Sequence, residues 1–247
     1  MDLGLKGRTA LVFGASSGLG LASASALATE GANVTVVGRR RELLEREAER
    51  IGALAVRGDV SVPRDLERAV EQTLAAFGGL DILVWNSGGP PPGTALEVTP
   101  ESLEQALELL VQPLVRLIQL CLPHLATSDA GRIIAITSLA AKEPTAHLAL
   151  SNALRPAVTG LVKTLASELG PQGITANCVA PGRLATARLE HLYPNGPSEA
   201  DLADIPLRRW GDPRELGDVV CFLASARASY VSGQTIVVDG GLQRALF

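Results

Sequence analysis

Short apolar segments alternate with long amphipathic ones along almost the whole chain, and this alternation limits the fold more than any other feature of the sequence. Seven of the short segments are rich in aliphatic and β-branched residues, and most are apolar throughout rather than at every second position. Strands have this composition when both faces of a sheet are covered, as in parallel sheets. The predicted strands are residues 9–13, 33–37, 53–57, 82–85, 132–137, 175–179 and 235–238.

The segments between these predicted strands show the spacing of amphipathic helices. A strand followed by a helix, repeated along the chain, is typical of a doubly wound α/β fold with a parallel sheet. Because crossovers between parallel strands are right-handed, the helices must cover both faces of the sheet. We therefore predict a Rossmann-type parallel sheet of about seven strands, with helices near residues 18–30, 40–51, 63–77, 100–126, 152–169 and 213–225.

One domain accounts for the chain. Its 247 residues are within the range of a single α/β domain, and 47% of them are hydrophobic, enough for a large core. No linker, repeat or shift of composition divides residues 1–247. The one long irregular segment, 183–210, contains several prolines between a predicted strand and the last predicted helix. A segment of this length is more often functional than a simple connection, so we predict a substrate lid there.

Charge and targeting features exclude several classes of partner. The formal net charge is −4 and no basic block is present, so the sequence gives no support for nucleic-acid binding. The N-terminus has no apolar signal region, and charges and prolines interrupt the longest apolar stretch, 103–125, which argues against a membrane span. We expect a cytoplasmic protein with buried thiols and no metal cluster, because the histidines and Cys121, Cys178 and Cys221 are isolated from one another.

A glycine-rich turn follows the first predicted strand. The run from Gly14 to Gly20 reads G-A-S-S-G-L-G and leads into an alanine-rich helix. A helix N-terminus beside such a turn presents unpaired N–H groups and the positive end of the helix dipole, which bind phosphate. In the dinucleotide-binding pattern the glycines permit the turn, the approach of the pyrophosphate and the close packing of helix on sheet. We predict cofactor contacts from Gly14, Ser16, Ser17, Gly18, Leu19 and Gly20.

Further motifs, in the same order, resemble those of the short-chain dehydrogenase/reductase family over almost the whole chain, most closely its 3-oxoacyl-(acyl-carrier-protein) reductase-like members. The glycine-rich turn is similar to the family's T-G-x-x-x-G-x-G, with Phe13 in place of the threonine. The run 238–241 resembles the C-terminal V-D-G-G. The resemblance implies cofactor contacts from Asp59 and Val60 at the adenine, from the N-A-G-like Asn86, Ser87 and Gly88, and from Pro181, Gly182 and Thr186 after an N-x-V-x-P-G-like run.

The residues after the second predicted strand indicate which dinucleotide binds. In dinucleotide-binding folds an acidic residue there holds the ribose 2′-hydroxyl of NAD, whereas an arginine accommodates the 2′-phosphate of NADP. Here the strand is followed by Gly38 and then three arginines, with no acid. Cations at a helix N-terminus are unfavourable unless an anion lies nearby. We predict NADP as the cofactor, with Arg39 as the phosphate partner and NAD as the alternative.

The resemblance implies hydride transfer between nicotinamide and a carbonyl or alcohol carbon. In the family a tyrosine moves the proton, a lysine four residues later lowers its pKa and holds the cofactor ribose, a serine polarises the substrate oxygen, and an asparagine supports a relay water. Counted from flanking residues, the serine is Ser138, whereas the tyrosine, lysine and asparagine positions hold Ser151, Arg155 and Leu110. Arg155 keeps a positive charge for the ribose but exchanges no proton at neutral pH.

Two prolines affect the helices that carry these positions. Pro113 lies three residues after Leu110 and is expected to kink the predicted helix 100–126. Pro156 directly follows Arg155 and biases that residue away from helical angles. We therefore predict that its helix starts late, near Asn152, or has a distorted first turn. A start near Asn152 would put Pro156 in the first turn, where a missing N–H does little harm.

Few side chains are candidates for the lost proton donor, whose removal typically slows a reaction by ~10²–10⁴-fold. His147 lies four residues before Ser151 and titrates near neutral pH. Lys142 and Glu143 follow the fifth predicted strand, at the sheet edge where α/β active sites lie. Tyr193 is in the predicted lid. Each of these can equally be an ordinary loop residue.

Three functions are open on this evidence, since the fold alone does not decide. We favour an NAD(P)(H)-dependent oxidoreductase with an atypical active site, acting on a carbonyl or alcohol substrate of the 3-oxoacyl kind. The alternatives are a non-catalytic dinucleotide-binding homologue, such as a regulatory or partner subunit, and non-redox chemistry on the same scaffold. The family resemblance also implies a homo-oligomer, a tetramer or dimer. A partly apolar small-molecule substrate is favoured by the lid residues Leu184, Leu189, Leu192, Ile205 and Trp210.

Overall fold

All seven predicted strands join one parallel sheet. The computed structural model describes residues 2–193 and 195–246, apart from the side chains of His191 and Leu192. The strands follow the spatial order β3-β2-β1-β4-β5-β6-β7, and every neighbouring pair is parallel. This confirms the predicted α/β class. The strands are β1 (Thr9–Phe13), β2 (Asn33–Gly38), β3 (Leu54–Arg57), β4 (Ile82–Trp85), β5 (Arg132–Ile136), β6 (Thr175–Pro181) and β7 (Thr235–Val238).

Helices connect the strands and begin and end at local signals in the sequence. Proline occupies the first turn of four of them, where its missing N–H has no partner to lose. Gly52 and Gly78, with φ of 70° and 77°, end the second and third helices in the left-handed region. The helices are α1 (Gly18–Thr29), α2 (Arg41–Ile51), α3 (Pro63–Phe77), α4 (Pro100–Leu110), α5 (Gln112–Leu125), α6 (Ala149–Leu169), α7 (Ala187–Leu192), α8 (Glu199–Ala203) and α9 (Pro213–Ala224).

The sheet has a hydrophobic core on each face. Helices α3, α5 and α6 cover one face, and helices α1, α2 and α9 cover the other. This is why β1 and β4 are buried at every position. Cys121, Cys178 and Cys221 are buried within these two cores, and burial raises the pKa of each thiol to about 12. The prediction of buried thiols is confirmed.

The predicted helix 100–126 is two helices rather than one. Helix α4 ends at Leu110, and Val111, with φ −110° and ψ −56°, joins it to α5. Pro113 therefore lies in the first turn of α5, where it disrupts less than it would in the middle of a continuous helix. By length and composition alone, residues Pro100–Leu125 are apolar enough to cross a bilayer. In this fold the segment is divided at Val111, and Leu110, Leu114 and Leu117 are fully buried.

The start of helix α6 differs from the prediction. The helix begins at Ala149 rather than near Asn152, so Pro156 is inside it and not in its first turn. The early start has a tertiary cause, because the N–H of Ala149 donates to the carbonyl of Gly93 and the Asn152 amide is hydrogen-bonded to the backbone of Thr145. Pro156 is exposed, so its ring lies on the solvent side of the helix.

The segment 183–210 contains two short helices that the sequence did not predict, α7 and α8. Ile205 is buried, and the rings of Tyr193 and Trp210 meet edge to face with centroids 5.5 Å apart. Met1, Pro194 and Phe247, and the side chain of Leu192, lie outside the described residues. That this segment opens and closes as a lid stays a prediction.

Candidate functional site

A cleft of about 510 Å³ opens at the carboxyl ends of the strands. It lies where the chain, having built β1–β3 on one side, crosses over to β4 on the other, the switch point at which α/β sheets bind ligands. All but one of the predicted site residues line it. These are Gly14, Ser16, Ser17, Gly18, Leu19, Arg39, Asp59, Val60, Asn86, Ser87, Gly88, Ser138, Ser151, Arg155, Pro181, Gly182 and Thr186.

The exception is Gly20, which does not line the cleft but packs beneath it. A Cβ at Gly20 would lie 2.8 Å from the side-chain nitrogen of Asn86 and closer still to the carbonyl oxygen of Gly14. Asn86 donates from that nitrogen to the Gly14 carbonyl at 3.1 Å, which ties the end of β4 to the glycine-rich turn. Gly20 therefore acts as the packing glycine, in agreement with the role that the dinucleotide-binding pattern gives the third glycine, and a direct contact of Gly20 with the cofactor stays a prediction.

The glycine-rich turn forms a cradle suited to a diphosphate. Gly14 and Gly18 have φ of 62° and 58°, angles that residues with a side chain rarely adopt. The Ser17 hydroxyl makes no capping hydrogen bond to α1, so the first N–H groups of that helix stay available to a ligand. A Cβ at Gly18 would lie 3.5 Å from Thr186 across the cleft. A phosphate group there would meet backbone donors, the helix dipole and Thr186.

Two arginines stand at the end of the cleft beside β2. Arg39 is 75% exposed at its side chain, with Nη1 3.8 Å from Oδ2 of Asp59. Arg40 was not predicted as a site residue, yet its Nη2 donates to Oγ of Ser16 at 3.0 Å and to Oγ of Ser17 at 2.5 Å. The run of three arginines was the available signal, but sequence alone could not say which of them turn toward the cleft. The residues present suit a ribose that carries a phosphate.

Ser138, Ser151 and Arg155 come together at the other end of the cleft. Oγ of Ser138 accepts from the N–H of Ala140 at 3.2 Å, which leaves its proton free to be donated. Ser151 is buried, 7% exposed, and no hydrogen bond of its hydroxyl is found among the described residues. Despite Pro156, Ser151 and Arg155 are on one face of α6, as the i, i+4 spacing requires.

The guanidinium of Arg155 is buried and fixed by backbone carbonyls. Nη1 donates to the carbonyl of Ile136 at 3.1 Å and Nη2 to that of Gly88 at 3.4 Å, whereas Nε has no partner. Burial, and then the charge of Arg188, lower the pKa of Arg155 to about 10. Arg155 is therefore still a cation at neutral pH.

Several cleft residues could not be found from the sequence. Leu109 and Leu148 contribute apolar walls from two separate segments, and Arg188 reaches the cleft from α7. Leu184 and Leu189, two of the residues predicted to favour an apolar substrate, do line the cleft, but Ile205 and Trp210 are absent from its described lining. No motif marks Leu109, Leu148 or Arg188, because their place depends on how distant segments pack together.

Comparisons with known proteins identify the family. The family model described as enoyl-(acyl carrier protein) reductase matches residues 14–243. A dehydrogenase/reductase SDR family member 4 from Oryctolagus cuniculus is 34% identical, over 96% of this chain and 94% of its own length. The chain belongs to the short-chain dehydrogenase/reductase family. The family consists largely of oxidoreductases, and the resemblance predicted from the motifs is confirmed.

Two further members show how closely the fold is shared. A 3-oxoacyl-(acyl-carrier-protein) reductase of Vibrio cholerae is 33% identical, over 97% of this chain and 99% of its own length. The crystal structure of L-sorbose reductase from Gluconobacter frateurii, complexed with NADPH and L-sorbose, is 33% identical and superimposes with a TM-score of 0.92 over the full length of both chains.

The position predicted to match the relay asparagine of the family is not in the cleft. Leu110 is 0% exposed and belongs to a small apolar cluster with Ala106, Leu150 and Leu154. Its neighbour Leu109 lines the cleft instead. Leu110 therefore packs α4 against α6, and its side chain has no polar atom to offer a water in this part of the short-chain dehydrogenase/reductase fold.

The predicted substitutes for a proton donor lie outside the described lining of the cleft. His147 is exposed, and its φ of 58° is in the left-handed region. Glu143 accepts from the backbone N–H of Arg244, and Tyr193 packs against Trp210. Lys142 is half-buried and also away from the cleft. The structure therefore supports none of the four as a donor to a ligand held in this cleft.

Proposed function

We propose that this protein is an NADP(H)-dependent oxidoreductase that works without a tyrosine as its proton donor. The observation that carries the proposal is the single cleft that joins the glycine-rich cradle, the Arg39–Arg40 pair and the polar group Ser138, Ser151 and Arg155. The L-sorbose reductase relative was solved with NADPH in a chain of the same fold, which supports this cofactor. The proposed reaction interconverts a carbonyl and an alcohol.

We propose a role for each end of the cleft. The N-terminus of α1 and Thr186 would hold the diphosphate, and Arg39 and Arg40 the 2′-phosphate. When bound, the dinucleotide supplies or accepts the hydride. The hydroxyls of Ser138 and Ser151 would donate hydrogen bonds to the substrate oxygen.

The cation of Arg155 would stabilise negative charge that develops on the substrate oxygen, an effect that is strong where water is excluded. We do not assign the proton transfer to Arg155, because its Nη1 and Nη2 already donate to the backbone carbonyls of Ile136 and Gly88. We therefore propose that water delivers the proton to the oxygen bound by Ser138 and Ser151. The described lining of the cleft contains no tyrosine, histidine or lysine, which favours this route.

The test is an assay of NADPH oxidation with 3-oxoacyl thioesters, quinones and simple ketones, together with equilibrium titration of NADPH and NADH. We expect tight NADPH binding, turnover of at least one carbonyl class, and a kcat about 10²-fold lower in Ser138→Ala, the loss typical of one oxyanion-stabilising donor. NADPH affinity should not change in that variant. Ser25→Ala on α1 serves as the control, because Ser25 is outside this cleft.

Two results would count against this function. Tight NADPH binding with no turnover of any substrate class would favour the non-catalytic alternative. Equal turnover by Ser138→Ala and the wild type would remove Ser138 from the mechanism.

We also propose a cytoplasmic homo-oligomer, a dimer or tetramer. Exposed apolar side chains support the assembly: Val115 on α5 and Phe222 on α9 are each 39% exposed, and Leu246 near the C-terminus is 90% exposed. Sedimentation equilibrium should give two or four times the chain mass of 25.7 kDa. A mass equal to that of one chain would overturn the assembly. The buried thiols of Cys121, Cys178 and Cys221 suit a reducing compartment.

A further inference from the structure

Two cations converge at the substrate end of the cleft without an acidic partner. Arg155 is 6% exposed, and its described hydrogen bonds all go to backbone carbonyls. Arg188, from α7, donates to the carbonyl of Pro90 at 3.4 Å and packs directly on Gly89. Within residues 2–193 and 195–246, neither arginine makes an ion pair.

The two guanidiniums contact neighbouring residues of the loop after β4. Arg155 donates from α6 to the carbonyl of Gly88, and Arg188, on α7, packs on Gly89 and donates to the carbonyl of Pro90. The charge of Arg188 lowers the pKa of Arg155 further than burial alone does. The two like charges repel each other, and although Arg188 is exposed, Arg155 is buried, where an unpaired cation is costly. An anion placed between them would relieve both effects.

The protein does not supply that anion among its described residues. Asp59 is the one carboxylate in the described lining, and it lies at the opposite end of the cleft beside Arg39. Among the described residues the buried Nε of Arg155 also has no hydrogen-bond partner, so this guanidinium keeps an unsatisfied donor. A bound anionic ligand would supply the negative charge that the described lining leaves out at this end of the cleft.

We propose that Arg155 and Arg188 form an anion-binding subsite for the substrate, and that the substrate is an oxo acid whose carboxylate is held there. This rests on the proposed function, since it names the substrate class of the same site. The competing source of a bound anion is the cofactor diphosphate. The cradle for the diphosphate is at Gly18 and Thr186, whereas Arg188 turns away to Gly89 and Pro90 at the end of β4. The walls formed by Leu109, Leu148 and Leu189 suit an apolar remainder of the substrate.

The decisive experiment compares oxo acids with their methyl esters. Wild-type protein is assayed with 2-, 3- and 4-oxo acids of medium chain length and with the ester of each, beside Arg188→Leu, Arg188→Lys and the charge control Arg116→Leu. Arg116 is an exposed residue of α5 that pairs with Glu67. We expect at least one acid to exceed its ester about tenfold or more in kcat/KM. Arg188→Leu should abolish that preference mainly through KM, Arg188→Lys should retain part of it, and Arg116→Leu should match the wild type.

Binding measurements separate this proposal from the proposed function. Without turnover, an oxo acid should still raise the Tm of the NADP complex of the wild type and not that of Arg188→Leu. That outcome with no turnover of any substrate would reject the oxidoreductase function and keep the subsite. The subsite is rejected if no acid raises the Tm. It is also rejected if Arg188→Leu weakens NADPH binding tenfold or more while the preference for acid over ester is unchanged, because Arg188 would then bind the diphosphate.

Discussion

Gly20→Val should abolish NADPH binding and destabilise the protein. A side chain at Gly20 would press on the Gly14 backbone and on Asn86, neither of which can move without opening the turn between β1 and α1. Overpacking of this kind typically costs 1–3 kcal/mol, and we expect the free energy of unfolding to fall by about 3 kcal/mol. Loss of two backbone hydrogen bonds to phosphate, at about 1.5–3 kcal/mol each, corresponds to roughly 10³-fold weaker NADPH binding. Urea denaturation and fluorescence titration measure the two effects.

Two matched glycine variants separate loss of binding from loss of folding. Gly18→Ala adds a methyl group that meets only Thr186, at 3.5 Å, so it should weaken NADPH binding strongly at a cost of about 1 kcal/mol in stability for its φ of 58°. Gly160→Ala on α6 has free space around the new methyl group and should gain up to about 1 kcal/mol in stability with NADPH binding unchanged. Normal NADPH affinity in both Gly20→Val and Gly18→Ala would contradict the placement of the diphosphate.

Replacing Arg39 and Arg40 together by alanine should remove the preference for NADPH. Among the described residues, Arg39 makes one long ion pair, 3.8 Å to Asp59, and Arg40 donates to the hydroxyls of Ser16 and Ser17. Each charge-assisted hydrogen bond to a phosphate contributes about 1.5–3 kcal/mol. The Kd for NADPH should therefore rise by about 10²–10³-fold, while the Kd for NADH should change less than about twofold because NADH has no 2′-phosphate. Equilibrium fluorescence titration with both nucleotides measures this.

The adjacent Arg41 provides the control for that experiment. It belongs to the same run of three arginines, but it pairs with Glu45 along α2 and does not line the cleft. Arg41→Ala should leave the NADPH Kd within about twofold. If Arg41→Ala weakened NADPH binding as much as the double variant does, the three arginines would act through their overall positive charge rather than through direct contact with the 2′-phosphate. A parallel loss of NADH affinity in the double variant would mean that the two arginines support the loop rather than the 2′-phosphate.

The elements with purely local causes were predictable. Each strand is a short apolar run because parallel strands are buried on both faces, and all seven were identified within two residues. The glycine-rich turn could also be predicted from the sequence, because the left-handed φ angles at Gly14 and Gly18 favour glycine whatever residues surround them. Pro113 marked a break in its helix, although the sequence suggested a kink and the structure has a full junction at Val111.

Predictions failed where distant segments decide the outcome. Helix α6 starts at Ala149 because its first turn is hydrogen-bonded to the backbone of Gly93 and Thr145. The local sequence around Pro156 does not reveal these contacts. The sequence pointed to Arg39 as the phosphate partner and did not show that Arg40 turns toward Ser16. His147 and Tyr193, plausible acids by type, are directed elsewhere by their own backbone and packing.

The sequence by itself determined the α/β fold, the family and the phosphate cradle, because these depend on apolar periodicity and on glycine angles that act over a few residues. Only the tertiary structure decided that Leu110 is core, that Arg155 is buried with no ion pair among the described residues, and that Arg188 packs on Gly89 of the loop that Arg155 also contacts. Charge balance in a cleft is a property of groups brought together from α6, α7 and the loop after β4. No single stretch of sequence contains it, because burial and the absence of a counter-charge exist only once those segments pack.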